Sequence, residues 1–284
     1  MKGKALALLL LIGLYGVVMV PFTDHMRGRP FVEKLGYLPA SDALKVLVAD
    51  QKQSVGASLI MKVMMYFGGK VSGGNLKVTT DVDYKAMSRT VHAALKLDPY
   101  NMDGYYFAQA ILVWDVKQYR LANDLLEYGM KYRTWDWYLP FFAGFNYAFF
   151  LKDYPNAARM YMRAGDLSGE PLFKKLAGRY LQQSGQTEIA IAYLTTMEKG
   201  ARDKAVKESF RIRLTAFRRV LLIEKARDGF IAEHGRLPSS VEEMLAKGYL
   251  KSIPADPYGG KFYLEPTGDV STTSKFAFAG VQNN

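Results

Sequence analysis

Between residues 103 and 200 the apolar positions keep a helical period, and a longer spacing is laid over it. Small residues recur at Ala122, Ala157 and Ala190, in steps of 35 and 33. Each is followed four places on by a bulky residue, Leu126, Tyr161 or Leu194, and seven places on by Gly129, Ala164 or Met197. Steps of four and seven return to one side of an α-helix, so each trio predicts the buried stripe of a second helix. Upstream, Ala110, Gly144 and Gly178 mark where a first helix would let that second helix approach closely. The pattern predicts helix-turn-helix hairpins stacked in an array. Met87, Val91, Ala94 and Pro99 fit the second helix of an earlier copy.

Outside the array the pattern changes. Residues 5–22 form an uncharged apolar run behind Lys2 and Lys4. At 1.5 Å per residue the run would cover about 27 Å of hydrocarbon, and Val18, Met19, Val20 and Pro21 offer no cleavage site, which predicts an uncleaved single-pass transmembrane anchor. Arg27, Arg29 and Lys34 compete with the two lysines in the positive-inside count, and the reading favours a body outside the cytoplasm. Pro39, Ser41 and Asp42 start a helix through Val48. Ser54 caps another, with Leu59, Ile60, Val63, Met64 and Phe67 as its stripe and Gly68, Gly69, Gly73 and Gly74 at its end. Residues 77–82 read as a loop or short strand. Met61, Met64 and Met65 read as core packing in preference to a copper site. Beyond the array, residues 203–233 are predicted to form one long helix with Phe210, Leu214, Phe217 and Leu221 on a buried seam. Lys204, Lys207, Arg211, Arg213, Arg218, Arg219, Lys225 and Arg227 surround that seam. Two readings of these cations stay open: a solvated face, or a stripe held near anionic headgroups or an acidic partner.

Composition adds bounds. The 284 residues are 49% hydrophobic, which suits a globular chain, and the absence of cysteine excludes disulfides and thiolate metal sites. A formal charge of +11 favours anionic partners or a membrane surface. His25, His92 and His234 lie in no metal-ligand or nucleophile motif, and Gly259-Gly260 precedes a strand where a phosphate loop would open a helix. Glu242 and Glu243 sit at a helix start, where they complement its dipole. The expectation is a binding protein and not an enzyme.

The repeated trios resemble the tetratricopeptide repeat over residues 103–202. Tyr106 replaces its usual Trp, the closing Pro is missing at Thr134, and the middle repeat carries one extra residue before Ala157. The resemblance implies that first helices line a concave binding face. The implied groove residues are Phe107, Ile111 and Trp114, then Tyr138, Phe141 and Phe145, then Lys175 and Arg179. An aromatic strip ending in two cations suits a protein or peptide partner with apolar anchors and an acidic end. The alternative is that these aromatics are core, or are covered by the segment before Asp83 or by the long basic helix.

Gly235-Arg236-Leu237-Pro238, Gly248-Tyr249-Leu250, Ile253-Pro254-Ala255-Asp256-Pro257-Tyr258-Gly259-Gly260 and Phe262-Tyr263 resemble the tail of the major pseudopilin of type II secretion. That resemblance implies a small strand and loop module after a long helix. Related pseudopilins bind calcium, so Asp256 and Asp269 are the implied oxygen ligands, with turn-forming aspartates as the alternative; no other cofactor is implied. The amino-terminal prepilin site is missing, so filament incorporation is not carried over.

Together these readings give a mostly α chain: a TPR-like array with an N-terminal transmembrane helix and a small C-terminal α+β tail. Its segments are an anchor (1–22), a helical region with a degenerate first repeat (23–102), the repeats (103–202), a long basic helix (203–234) and a tail (235–284). The expected function is a membrane-anchored protein-protein interaction scaffold or assembly factor of a cell-envelope machine, of the type IV pilus or type II secretion kind. A polymerising pilin-like subunit is the runner-up and an envelope hydrolase the third. The expected location is the bacterial inner membrane, single pass, with a periplasmic body, where nucleic acid is a disfavoured partner.

Overall fold

The computed structural model describes residues 2–28, 35–70 and 82–274, and within its first helix the side chains of residues 11–24. Gly73, Gly74 and residues 77–81, read above as a helix end and a loop, lie outside the described residues. In chain order the helices are α1 (Lys2–Gly28), α2 (Ser41–Leu47), α3 (Lys52–Gly68), α4 (Tyr84–Leu97), α5 (Met102–Ala110), α6 (Tyr119–Gly129), α7 (Tyr138–Phe145), α8 (Tyr154–Ser168), α9 (Pro171–Gln183), α10 (Thr187–Gly200), α11 (Lys204–His234) and α12 (Val241–Ala246). Strands β1 (Phe262–Leu264) and β2 (Val270–Thr272) pair antiparallel, with Tyr263 opposite Ser271. From α3 to α11 successive helices pack on one another, as a TPR-like helical repeat does.

Small residues at the crossings explain this packing. Ala122, Ala157 and Ala190 are fully buried, and Tyr161 and Leu194 fill the space beside Gly144 and Gly178. A Cβ added at Gly178 would stand 2.8 Å from Leu194 Cγ. Side chains of Asp83 and Asp153 cap the second helices α4 and α8, accepting from the N–H groups of Ala86 and Asn156.

The first helices differ in a way the spacing concealed. α5 and α7 each continue into a π-helical turn, Ile111–Asp115 and Asn146–Leu151, and α9 has none. Each π-turn accommodates one inserted residue. The turns that follow are equivalent: the N–H of Gln118 donates to Leu112 O, that of Asp153 to Tyr147 O, and that of Gln186 to Leu181 O. Lys117, Lys152 and Gly185 hold the left-handed position of these turns, at φ 56°, 55° and 75°. Counting back from this shared turn, the residue equivalent to Gly144 in the preceding repeat is Gln109, not Ala110. Gln109 is buried and Ala110 is exposed.

The inserted turns enclose a polar cluster. Asn146 Nδ2 donates to Gln109 Oε1 at 2.9 Å and to Asn123 Oδ1 at 2.9 Å, while Gln109 Nε2 donates back to Asn146 Oδ1 at 3.0 Å. All three amides are buried between the two repeats.

Four expectations need correction here, the first being the cap of α3: Ser54 lies inside that helix, which follows Gln51 with no side-chain cap. Among the described residues no helix is long and apolar enough to cross a membrane. α1 carries Pro21 within it and Asp24 in its last turns. This overturns the transmembrane anchor over residues 5–22, and with it the single-pass inner-membrane location. On α3 the buried stripe is Gly56, Ile60, Val63 and Tyr66, so Met61, Met64 and Met65 project outward and are exposed instead of packed in the core. The long basic helix keeps its seam at Phe210, Leu214 and Phe217, yet Arg213 is buried beside it at 3% exposure and does not belong to a solvated face.

Candidate functional site on the first helices

With the inserted residue placed, equivalent positions on α5, α7 and α9 form rows. Tyr106, Phe141 and Lys175 make one row; Ala110, Phe145 and Arg179 the next; Trp114, Phe149 and Gln183 the last. None of the nine is buried. The implied groove residues divide accordingly. Trp114, Tyr138, Phe141, Phe145, Lys175 and Arg179 lie on this face. Ile111 is buried in the core, and Phe107 packs edge-on against Phe67 of α3 with ring centroids 6.1 Å apart. Tyr106 and Ala110 take their places, because the spacing alone sets the first repeat one residue out of register.

Aromatic rings run continuously over the first two repeats. Tyr106 meets Tyr138 at 5.6 Å, and Phe141 meets Phe173 of α9 at 5.3 Å. Toward the turns, Phe145 stacks on Phe149 at 5.4 Å and Trp114 meets Phe150 at 5.5 Å. Trp114 and Phe149 remain 62% and 57% exposed. Neither Phe149 nor Tyr106 is among the implied groove residues; the period places them on this face only once the π-turns are known.

At the third repeat the character changes to cationic. Arg213 of α11 donates through Nη1 to the main-chain oxygen of Lys175 at 3.2 Å and is hydrogen-bonded to Tyr258 of the tail. Burial pushes the Lys175 ammonium below its ordinary pKa, and the Arg213 guanidinium adds to this. Arg179 lies over the Tyr180 ring at 5.9 Å, and its Nε is buried without a hydrogen-bond partner. α11 thus covers part of the third repeat's side of the face.

Between α9, α10, α11 and the strand pair lies a polar cavity of about 890 Å³, into which Arg179, Glu224 and Thr272 project. Glu224 accepts from Thr187 Oγ1 at 2.9 Å. Burial raises its pKa above the ordinary carboxylate value, more than the hydrogen bond from Thr187 and the charge of Arg227 lower it. A raised folded pKa means that the contribution to stability is full below the unfolded value and is lost as pH rises through the folded one. Glu224→Gln should therefore melt higher than the parent at pH 7, and the difference should shrink toward pH 4; a gap that widens on acidification would show the opposite sign.

The implied calcium ligands are not brought together. Asp256 sits at the open end of the strand pair, accepting from the hydroxyls of Thr272 and Ser274 and from the N–H of Tyr258. Asp269 sits at the turn end, where its carboxylate accepts from Thr267 and its main-chain oxygen from the N–H of Glu265. Among the described residues no group of three or more His, Cys, Asp or Glu could hold a metal ion. The donors already aimed at Asp256 give it a structural task, tying the loop to the strands.

No family model matches the chain, and no curated protein matches it. A solved structure titled MamA AMB-1 aligns with 58% of this chain and 97% of its own, at 17% identity and a TM-score of 0.34. A superposition that loose carries no argument, and the repeat assignment rests on the equivalent turns and buried small residues described above.

Proposed function

We propose that this chain is a protein-interaction scaffold that binds a partner along the exposed face of its first helices, without catalysis. The observation carrying this reading is the continuous aromatic band on consecutive repeats, left open at Trp114 and Phe149. Exposed apolar surface of this extent marks interaction sites, and aromatic residues carry much of the binding energy where they occur in them. The finer reading is an assembly factor of a type IV pilus or type II secretion machine. It is supported by the tail's resemblance to the pseudopilin module, here a short helix, loop and strand pair packed on the end of α11.

Phe141→Ala and Trp114→Ala test the site. Partners captured on the intact chain by cross-linking and identified by mass spectrometry should be lost from both variants, with binding at least tenfold weaker for truncated anchors of this kind. The melting temperature of Trp114→Ala should barely change. Collapse of both variants with no selective loss of any partner would assign these aromatics to the core.

A further inference from the structure

Lys117 and Lys152 close the first helices of consecutive repeats in the left-handed region, at φ 56° and 55°, where the third repeat has Gly185. A side chain in that region crowds the following carbonyl, so glycine is the residue that folding alone would select. Within the described chain Lys152 gains only an exposed contact with the Phe149 ring, and Lys117 gains none. Both are exposed, and neither forms an ion pair with a described residue. What they do have is a shared position at the open rim of the aromatic band. Lys152 Nζ stands 5.4 Å over the ring of Phe149, and Lys117 follows Trp114, the equivalent residue, by three places. Two carboxylates accompany them in the chain: Asp115, between Trp114 and Lys117, and Asp153, directly after Lys152 and engaged in capping α8 through the N–H of Asn156.

We infer that Lys117 and Lys152 select an acidic protein segment that lies across the band, with its apolar side chains on Trp114, Phe145 and Phe149 and its carboxylates on the two ammonium groups. This rests on the scaffold reading and deepens it by fixing the partner's charge and the edge that reads it. Two cations one repeat apart recognise carboxylates spaced along a chain, and charge at an interface rim sets orientation and excludes wrong partners. A chain segment fits better than an anionic bilayer. The band is bounded at the third repeat by α11 and the strand pair, around the cavity of about 890 Å³, and a flat surface does not follow such a wall.

The test uses the full chain with two fluorescent 16-residue peptides, one of Glu, Leu and Phe and the other with Lys in place of Glu, and vesicles with and without phosphatidylglycerol. The parent should bind the Glu peptide in preference to the Lys peptide. The double variant Lys117→Gly, Lys152→Gly should melt higher, by about 2–4 °C for each relieved position, and bind the Glu peptide about five- to tenfold more weakly. Stability and affinity moving in opposite directions separate recognition from folding. If neither peptide binds the parent, the scaffold reading falls and this inference with it. Binding unaffected by the glycines, or a lower melting temperature of the double variant, overturns only the role of the lysines. Attachment to phosphatidylglycerol vesicles without preference between the peptides assigns the rim to lipid instead.

Discussion

Asn146→Leu is expected to cost about 3 kcal/mol, because it strands two buried amides at once. Asn146 donates to Gln109 Oε1 and Asn123 Oδ1 and accepts from Gln109 Nε2, and its own exposure is 0%. After the change both neighbours keep their desolvation cost and lose these bonds; each orphaned buried group costs about 1–3 kcal/mol. Asn123 would retain its long contact to Ala143 O at 3.5 Å and its hydrogen bond with the Tyr147 side chain. Urea unfolding should show a lower midpoint with an unchanged slope. Replacing Gln109, Asn123 and Asn146 together by leucine should recover much of the loss, since no polar group would then be left unpaired. A single variant as stable as the parent would mean that the amide cluster does not hold the two repeats together.

Gly129→Ala is expected to cost about 2–3 kcal/mol although alanine favours helices by about 1 kcal/mol over glycine. A Cβ at Gly129 would stand 2.6 Å from Cζ and 2.7 Å from Cε1 of Tyr105, with Leu139 Cδ1 at 3.0 Å. The ring cannot easily retreat, being fully buried and held by a bond from its hydroxyl to Pro99 O at 3.0 Å. Overpacking therefore outweighs propensity, and thermal unfolding should register a clear fall. A rise in melting temperature would mean that the ring shifts freely and that the crossing of α5 and α6 is loosely packed.

The second helices were legible in the sequence because their small and large residues bury against neighbours directly, and the 3.6-residue period survives in Ala122, Ala157 and Ala190. Register on the first helices was less legible. A π-turn inserts a residue without disturbing the trio downstream, so counting back from Ala122 reached Ala110 where Gln109 is the true neighbour. That single step exchanged Ile111 and Phe107 for Ala110 and Tyr106 on the exposed face. The methionines of α3 failed for another reason. With Ile60 and Val63 on one side and Met61, Met64 and Met65 on the other, both faces are apolar, and period alone cannot choose between them. Arg213 was hidden by its chemistry, since a cation in a basic helix reads as solvated until Lys175 and Tyr258 are found around it.

α11 serves two cores in succession. Phe210, Leu214 and Phe217 belong to the last repeat's packing, whereas Val220, Ile223 and Phe230 belong to the tail's, with Val241, Met244 and Phe262. The helix is 31 residues, about 46 Å long, and shows no break where one core gives way to the other. Such a beam resists bending and twisting far more than a linker of equal length, so the array and tail move as parts of one lever. A molecule bound to the aromatic band and another bound to the tail would be held at a set distance and angle, as by a jig, and lengthening α11 by one residue would turn one seat about 100° relative to the other.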